Sequence, residues 1–239
     1  GGAGTLMSHC PNATLVVHPK GAYHMINPGK LVQATIDIYG QDLFDHLYRE
    51  VLPVPEHRVL KAEDGLILDF QGREFHFLDT PGHARHHCCI WDPASKGVFT
   101  GDTMGMAFPE LQVEGKAPFI IPTTSPVGFE PDEMKRSIER ILKLSPETFY
   151  LTHFGPVEAA PESIETLIKL IDAHTEAVLK EPKPTQSELS AILLDIVSEA
   201  FSGYTKSAVD KEEINSVLSG DIELNTQGLL VWAARQEKL

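Results

Sequence analysis

Apolar positions along the chain change their period part-way through. Short apolar runs alternate with Pro- and Gly-marked turns at first, and apolar residues recur at helical spacing later. Ala13–His18 is a β-branched run closed by Pro19 and predicts a buried strand. Pro28-Gly29 opens a helix that runs through Tyr39, where Gly40 stops it. Leu47–Pro55 reads as a proline-bearing connector. Leu66–Phe70 and Glu74–Asp79 flank Gln71-Gly72-Arg73, and Phe75, Phe77 and Asp79 alternate with Glu74, His76 and Leu78, as in a hairpin. His87–Trp91 and Gly97–Thr100 form a second strand pair around the Asp92-Pro93 turn.

Met104 to Phe129 carries many Pro and Gly with little periodicity, and reads as a long loop over a site, where such loops are often functional. Pro131 then sits in the first turn of a helix whose stripe of Met134, Ile138, Ile141 and Leu142 opposes Lys135, Arg136, Glu139 and Arg140. Thr148–Thr152 is a short strand ending at His153. After Pro161, Ile164, Leu167, Ile168, Ile171 and Val178 keep helical spacing. Thr185 and Glu188 make a capping box ahead of Leu189, Ile192, Leu193, Ile196 and Ala200. A last helix is predicted over Asp221 to Gln236 despite Gly228, and Lys180–Thr185 (KEPKPT) is the one linker-like piece. The order points to an α/β body over 1–160 and a helical C-terminal extension, 161–239, packing on the same domain.

Composition narrows the function classes. A chain of 239 residues can bury a proper core as one large α/β domain or two small ones, and its 42% hydrophobic and 23% charged content is ordinary. A net charge of −14 disfavours nucleic acid and anionic membrane surfaces, because binding to either needs clustered cations. No run approaches the roughly 20 apolar residues of a membrane helix. The opening GGAGTLMSHC lacks the charged region and apolar run of a signal peptide. Three cysteines, Cys88 and Cys89 adjacent, make no disulfide framework, and a reduced, cytoplasmic protein is expected. Residue 1 is Gly, so the expected start is after processing, after a tag or inside a longer chain.

Three segments end a strand with a potential metal ligand. Leu78-Asp79-Thr80-Pro81-Gly82-His83 carries His83 past a Pro-Gly turn, Phe99-Thr100-Gly101-Asp102-Thr103 presents Asp102, and Phe149–Gly155 delivers His153. Two imidazoles and a carboxylate suit Zn, Fe or Mn, and a carboxylate has two oxygens with which to bridge a metal pair. Bound metal lowers the pKa of its water to about 7, so that hydroxide is available at neutral pH without a Ser or Cys nucleophile. Singly each signal is weak, since a lone His is usually structural and Gly-Asp-Thr is commonly a turn. Their order, each after an apolar run, is more specific.

The residues TPGHARHH (80–87), TGDT (100–103) and LTHFG (151–155) resemble the third, fourth and fifth motifs of the metallo-β-lactamase superfamily. That resemblance implies a four-layer αββα sandwich with a dinuclear metal cleft at one edge. By position, His83 would bind the first metal, Asp102 would bridge both and serve catalysis, and His153 would bind the second. It also implies a His-x-His-x-Asp-His motif just ahead of Gly1, giving two histidines to one metal and an aspartate and a histidine to the other. The first strands of the N-terminal half-sandwich would precede Gly1 as well, so the sequence is expected to be part of a longer chain. The opening GGAGTLMSHCPNATLVVHP resembles the helix and strand that follow that motif. ELNTQGLLVW (223–232) resembles the C-terminal helix of a hydrolase subgroup that carries paired histidines like His86-His87.

Adjacent His86 and His87 would point to opposite faces of a strand, one approaching the cleft as an outer-shell or substrate contact. Cys88 and Cys89 read as core residues, and His9 and Cys10 as a helix end. Met104, Met106, Phe108 and Phe119 either pack or wall a substrate, with Phe108 the candidate contact. The expected function is hydrolysis of a small-molecule carbonyl substrate (ester, lactone, thioester or β-lactam) by a metal-bound hydroxide, with two divalent ions, zinc ahead of iron or manganese. A glyoxalase II-type thioesterase is the nearest alternative enzyme, although no basic cluster for a glutathione carboxylate is evident. Other classes are a non-catalytic fragment or pseudoenzyme acting as a binding module, and a di-iron redox or oxygen-binding protein. No nucleic acid or membrane partner is expected, and a homodimer is left open.

Overall fold

The computed structural model describes residues 2–124, 128–180 and 183–236. They belong to two compact units, Gly1–Leu66 and Ile67–Leu239. In the first, helices α1 (Ala3–His9), α2 (Pro19–Ile26), α3 (Gly29–Tyr39) and α4 (Gln41–Leu47) accompany a parallel pair of strands, β1 (Leu15–Val17) and β2 (Val59–Lys61). The strand expected at 13–18 and the helix ended by Gly40 are both present, whereas α2, α4 and β2 were not expected. Pro19 closes β1 but also starts α2, because Pro is well suited to a first helical turn. The His18 ring caps that turn, its Nδ1 accepting from the Lys20 N–H at 3.1 Å. Arg58 secures the end of α1, donating from Nη1 to the Met7 carbonyl at 2.9 Å and from Nε to Ala13 at 3.0 Å.

The second unit is built on a six-stranded sheet, with strands adjacent in chain order: β3 (Ile67–Phe70), β4 (Arg73–Asp79), β5 (Cys88–Asp92), β6 (Gly97–Gly101), β7 (Thr148–Leu151) and β8 (Val157–Glu158). Every neighbouring pair is antiparallel except β6 and β7, which are parallel. Strands β4, β6 and β7 therefore run in the same direction, and their C-terminal ends share one edge of the sheet. The hairpin turns at Gln71-Gly72, with φ of 56° and 87°, which is the geometry of a type I′ turn, so Arg73 already belongs to β4. Arg73 reaches the buried Asp92 carboxylate, its Nε 3.1 Å from Oδ1, while the Ser95 hydroxyl donates to Oδ2 at 2.5 Å. These hydrogen bonds, Arg73 foremost, hold the Asp92 pKa down to about 2 and pin the β5–β6 turn.

One face of this sheet contributes Cys89, Val98 and Phe149 to the core, which continues into the helices α5 (Pro131–Leu142), α6 (Pro161–Leu179), α7 (Gln186–Thr205) and α8 (Lys211–Gln236). The opposite face carries Leu68, Phe70, Phe75, Phe77, Ile90 and Phe99, which line an apolar groove of about 300 Å³. The expected capping box is present at the start of α7, with Glu188 accepting from the Thr185 N–H at 2.8 Å. Glu181 and Pro182 of the linker-like piece lie outside the described residues. The last helix starts at Lys211, ten residues ahead of its expected start. Ile214, Leu218, Ile222, Leu229 and Trp232 all bury along it, and that packing outweighs the poor helix propensity of Ser219 and Gly220. The partition read at residue 160 falls inside this unit, since the helices beyond it share the core of the sheet.

The 104–129 segment has the irregular backbone expected of a loop, and much of it is also core: Met104, Met106, Phe119, Ile120 and Ile121 are buried, and Met106 bridges to Ile121. Gln112 closes the excursion by donating to the carbonyls of Phe108 (2.9 Å) and Phe119 (3.0 Å). Side-chain bonds replace a regular ladder here, so no periodicity marks the burial. Residues 125–127 of this segment lie outside the described residues. Among the described residues, no helix is long and apolar enough to cross a membrane.

His174 lies inside the core on α6, and neither ring nitrogen has a hydrogen-bond partner among the described residues. Burial alone lowers its pKa from 6.5 to about 4. Between those values the unfolded chain binds the proton and the folded chain does not, so stability falls as pH drops through this window. Replacing His174 by Leu removes the effect: chemical denaturation at pH 7.5 and 4.5 should show an advantage for His174→Leu that grows toward acid by up to about 3 kcal/mol. Equal pH slopes for the two proteins would contradict the assignment.

Candidate metal centre

The shared direction of β4, β6 and β7 explains how residues far apart in sequence meet. Each strand delivers its candidate ligand just past its C-terminal end, where open α/β sheets place ligands. His83 Nε2 lies 3.6 Å from Asp102 Oδ2, and His153 Nε2 lies 3.6 Å from Asp102 Oδ1. The carboxylate thus stands between two imidazoles, one for each oxygen. Its Oδ1 is buried and has no hydrogen-bond partner among the described residues.

Helix α5 fixes the approach to His83. The Ser137 hydroxyl donates to the Pro81 carbonyl at 2.6 Å, Arg140 Nη1 to Asp79 at 2.9 Å, and the Glu130 N–H to Gly82 at 2.7 Å. Gly82 has φ of 135°, and a Cβ there would fall 2.3 Å from the Met134 nitrogen, so the helix can close on this turn only over a glycine. Beyond the turn, His83 Nδ1 faces the Thr123 carbonyl at 3.3 Å. A carbonyl only accepts, so Nδ1 carries the proton and Nε2 keeps a lone pair toward Asp102.

Asp102 is positioned through its backbone. Its N–H donates to His87 Nε2 at 3.0 Å, which places the His87 proton on Nδ1, within reach of the hydroxyls of Thr80 (2.9 Å) and Thr103 (3.1 Å). The Thr80 hydroxyl then donates to Cys89 Sγ at 3.2 Å, and the Cys89 thiol to the Thr100 carbonyl at 3.2 Å. Burial, with repulsion from His83, lowers the His87 pKa to about 4 against the pull of Asp102, so the ring is neutral. Burial pushes the Cys89 thiol up to about 12, which keeps it a donor. Of the paired histidines, His87 is therefore an outer-shell holder of Asp102 and His86 is exposed.

The His153 side is more open, with that side chain 50% exposed against 17% for His83. Phe154 has a left-handed φ of 63°, which costs a non-glycine residue about 1–2 kcal/mol and is typical of strain kept at functional sites. Its ring is half exposed and packs on Phe108 with centroids 4.6 Å apart. All four candidates in the 104–129 segment, Met104, Met106, Phe108 and Phe119, are core, and Phe108 also packs on the half-exposed Phe154 ring at the site edge. Asp221 on α8 feels His153 too: burial raises its pKa, and attraction to His153 partly offsets the rise. Sequence reasoning missed Thr80, Thr103, Thr123 and Asp221, whose roles depend on contacts between elements.

The donor chemistry fits divalent ions. Ligands about 2.0–2.2 Å from one tetrahedral ion sit about 3.4 Å apart, whereas 3.6 Å is too long for a hydrogen bond. Each imidazole–carboxylate pair thus has the spacing of two donors to a shared ion. Among the described residues, however, no three His, Cys, Asp or Glu side chains gather around one ion position.

Comparisons with known proteins show what the chain is similar to. The family described as the Metallo-beta-lactamase superfamily matches residues 1–153. A curated relative from Sulfurisphaera tokodaii, metallo-beta-lactamase fold-containing protein ST1585, is 30% identical over 114 residues; the match spans 48% of this chain and 39% of that protein, well under two thirds of its length. The crystal structure of ST1585, an archaeal metallo-beta-lactamase superfamily protein from Sulfolobus tokodaii, superposes with a TM-score of 0.58 and 23% identity over 94% of this chain and 73% of that one. The metallo-beta-lactamase family protein TTHA1429 from Thermus thermophilus gives 0.58 and 19% over 99% and 71%.

Gly101 tests the backbone positioning directly. Its φ is 50°, and a Cβ would fall 2.3 Å from His87 Nε2, inside the bond that holds Asp102. Gly101→Ala should lower the melting temperature by about 3–8 °C. His86→Ala, at an exposed position, should shift it far less. Equal shifts in calorimetry would remove the special role of this turn.

Proposed function

Because the chain belongs to the metallo-beta-lactamase superfamily, we propose that it serves as a metal-dependent hydrolase of a small carbonyl substrate: an ester, lactone, thioester or β-lactam. The observation that carries this reading is Asp102, which faces His83 and His153 with one oxygen each at 3.6 Å. His83 Nε2 and one Asp102 oxygen would hold the first of two divalent ions, and His153 Nε2 and the other oxygen the second. Zinc is preferred over iron or manganese for a set of imidazole and carboxylate donors. When bound, the ions would supply a water with a pKa of about 7 and polarise the substrate carbonyl.

The protein's own groups prepare that chemistry. His87 holds the Asp102 backbone without competing for its carboxylate, and the Thr123 carbonyl keeps the His83 proton off the ligating nitrogen. The Phe108–Phe154 pair presents an apolar ledge beside His153, suited to the hydrocarbon part of a substrate and to excluding water around it. A second reading, a non-catalytic binding module, is supported by the absence of any three-ligand group among the described residues.

Metal analysis and turnover of the full-length protein separate the two. The hydrolase reading expects two ions per chain and activity on at least one of the four substrate classes. Asp102→Ala should lose at least one ion and more than about 100-fold in turnover, since even outer-shell partners of metal sites are worth 10–100-fold. His86→Ala should keep its metal content. Full turnover with both ions in Asp102→Ala would refute the bridging role. Two ions with no turnover on any of the four classes would leave the binding module.

A further inference from the structure

Asn225 lies on the buried side of α8 and is 2% exposed, in a row otherwise filled by Ile222, Leu229 and Trp232. Its side chain is committed to the backbone of 122–124. Oδ1 accepts from the Thr124 N–H at 2.7 Å, and Nδ2 donates to the Pro122 carbonyl at 3.0 Å. The Thr124 hydroxyl in turn donates to the Asn225 main-chain carbonyl at 3.0 Å. These three bonds bracket Thr123, whose carbonyl faces His83 Nδ1 at 3.3 Å.

Packing between helices does not explain an amide here. Asn is a weak helix former, and a buried amide is tolerated only when its hydrogen bonds are met. Both amide ends are met by an irregular segment, at the two residues flanking the carbonyl that sets the His83 tautomer. We propose that Asn225 is a positioning residue for His83: it fixes the Thr123 carbonyl so that the imidazole holds its proton on Nδ1 and turns Nε2 toward Asp102. The metal consequence rests on the reading of His83 as a ligand, whereas the tautomer itself does not.

The neighbouring Thr226 provides a control. Its hydroxyl pairs with Ser190 of α7 at 2.9 Å, a bond one residue along α8 that joins the helix to α7 and not to 122–124. The full-length protein with ¹⁵N-labelled histidine, metal-free at pH 8, reports the His83 tautomer through long-range ¹H–¹⁵N correlations. Zinc affinity follows from competition with a chromophoric chelator. In the wild type, His83 should be the single Nδ1–H tautomer. Asn225→Ala should convert it to a mixture and weaken zinc binding by about 10–100-fold, the range for outer-shell partners. Asn225→Asp keeps the acceptor for Thr124 and loses the donor to Pro122. It is a near-isosteric change that should move both readouts in the same direction by less, and it stands in if the alanine variant does not fold. Ser190→Ala should leave both unchanged.

An unaltered Nδ1–H signal in a folded Asn225 variant would overturn the proposal, as would an equal change in Ser190→Ala. If the wild type binds no zinc while the Asn225 variants show the expected tautomer change, the result would instead count against His83 as a ligand, leaving the positioning role of Asn225 standing.

Discussion

The hydrogen bond from the Asp102 N–H to His87 Nε2 is the constraint on which the candidate centre depends. It occupies the backbone of Asp102 and leaves the carboxylate to the two flanking imidazoles. The bond exists only because Gly101 has no side chain and can turn through a left-handed φ. Behind His87, the hydroxyls of Thr80 and Thr103 and the thiol of Cys89 pass hydrogen bonds in a consistent sense to the Thr100 carbonyl. In a low-dielectric interior such a chain is strong when every member is satisfied and costly when one is lost.

Two helices secure the surroundings of His83. Helix α5 grips the turn after β4 through Ser137, Arg140 and the Glu130 N–H, and α8 grips 122–124 through Asn225. A loop carries function well when a rigid scaffold places it, and here the scaffold reaches over the loop by side-chain-to-backbone bonds. The result is asymmetric. His83 sits enclosed, its Nδ1 against a carbonyl, while His153 opens toward the exposed ring of Phe154. The enclosed side suits fixed geometry, and under the proposed function the open side would admit the substrate.

Much of this was legible beforehand wherever the signal is local. The strand ends at His83, Asp102 and His153, the hairpin, the α5 stripe and the Thr185–Glu188 box all follow from period, turn chemistry and capping within about ten residues. Burial of the 104–129 segment was not legible, because Gln112 and the Met106–Ile121 bridge satisfy its backbone without any regular repeat. The start of α8 was missed because Ser219 and Gly220 argue for a break that packing along Ile214 and Leu218 overrides.

The sequence by itself determined which residues could serve as donors and which strands would carry them, since residue type and alternation are written along the chain. It left open which of two adjacent histidines turns inward, and it gave no hint that an asparagine more than a hundred residues from His83 stands behind that candidate ligand. The tertiary structure decided both. The choice between His86 and His87 depends on space beside Gly101, and the role of Asn225 depends on α8 packing close enough to reach the 122–124 backbone. Hydrogen bonds of this kind join surfaces that meet only after the sheet and helices have assembled, so no local pattern can encode them.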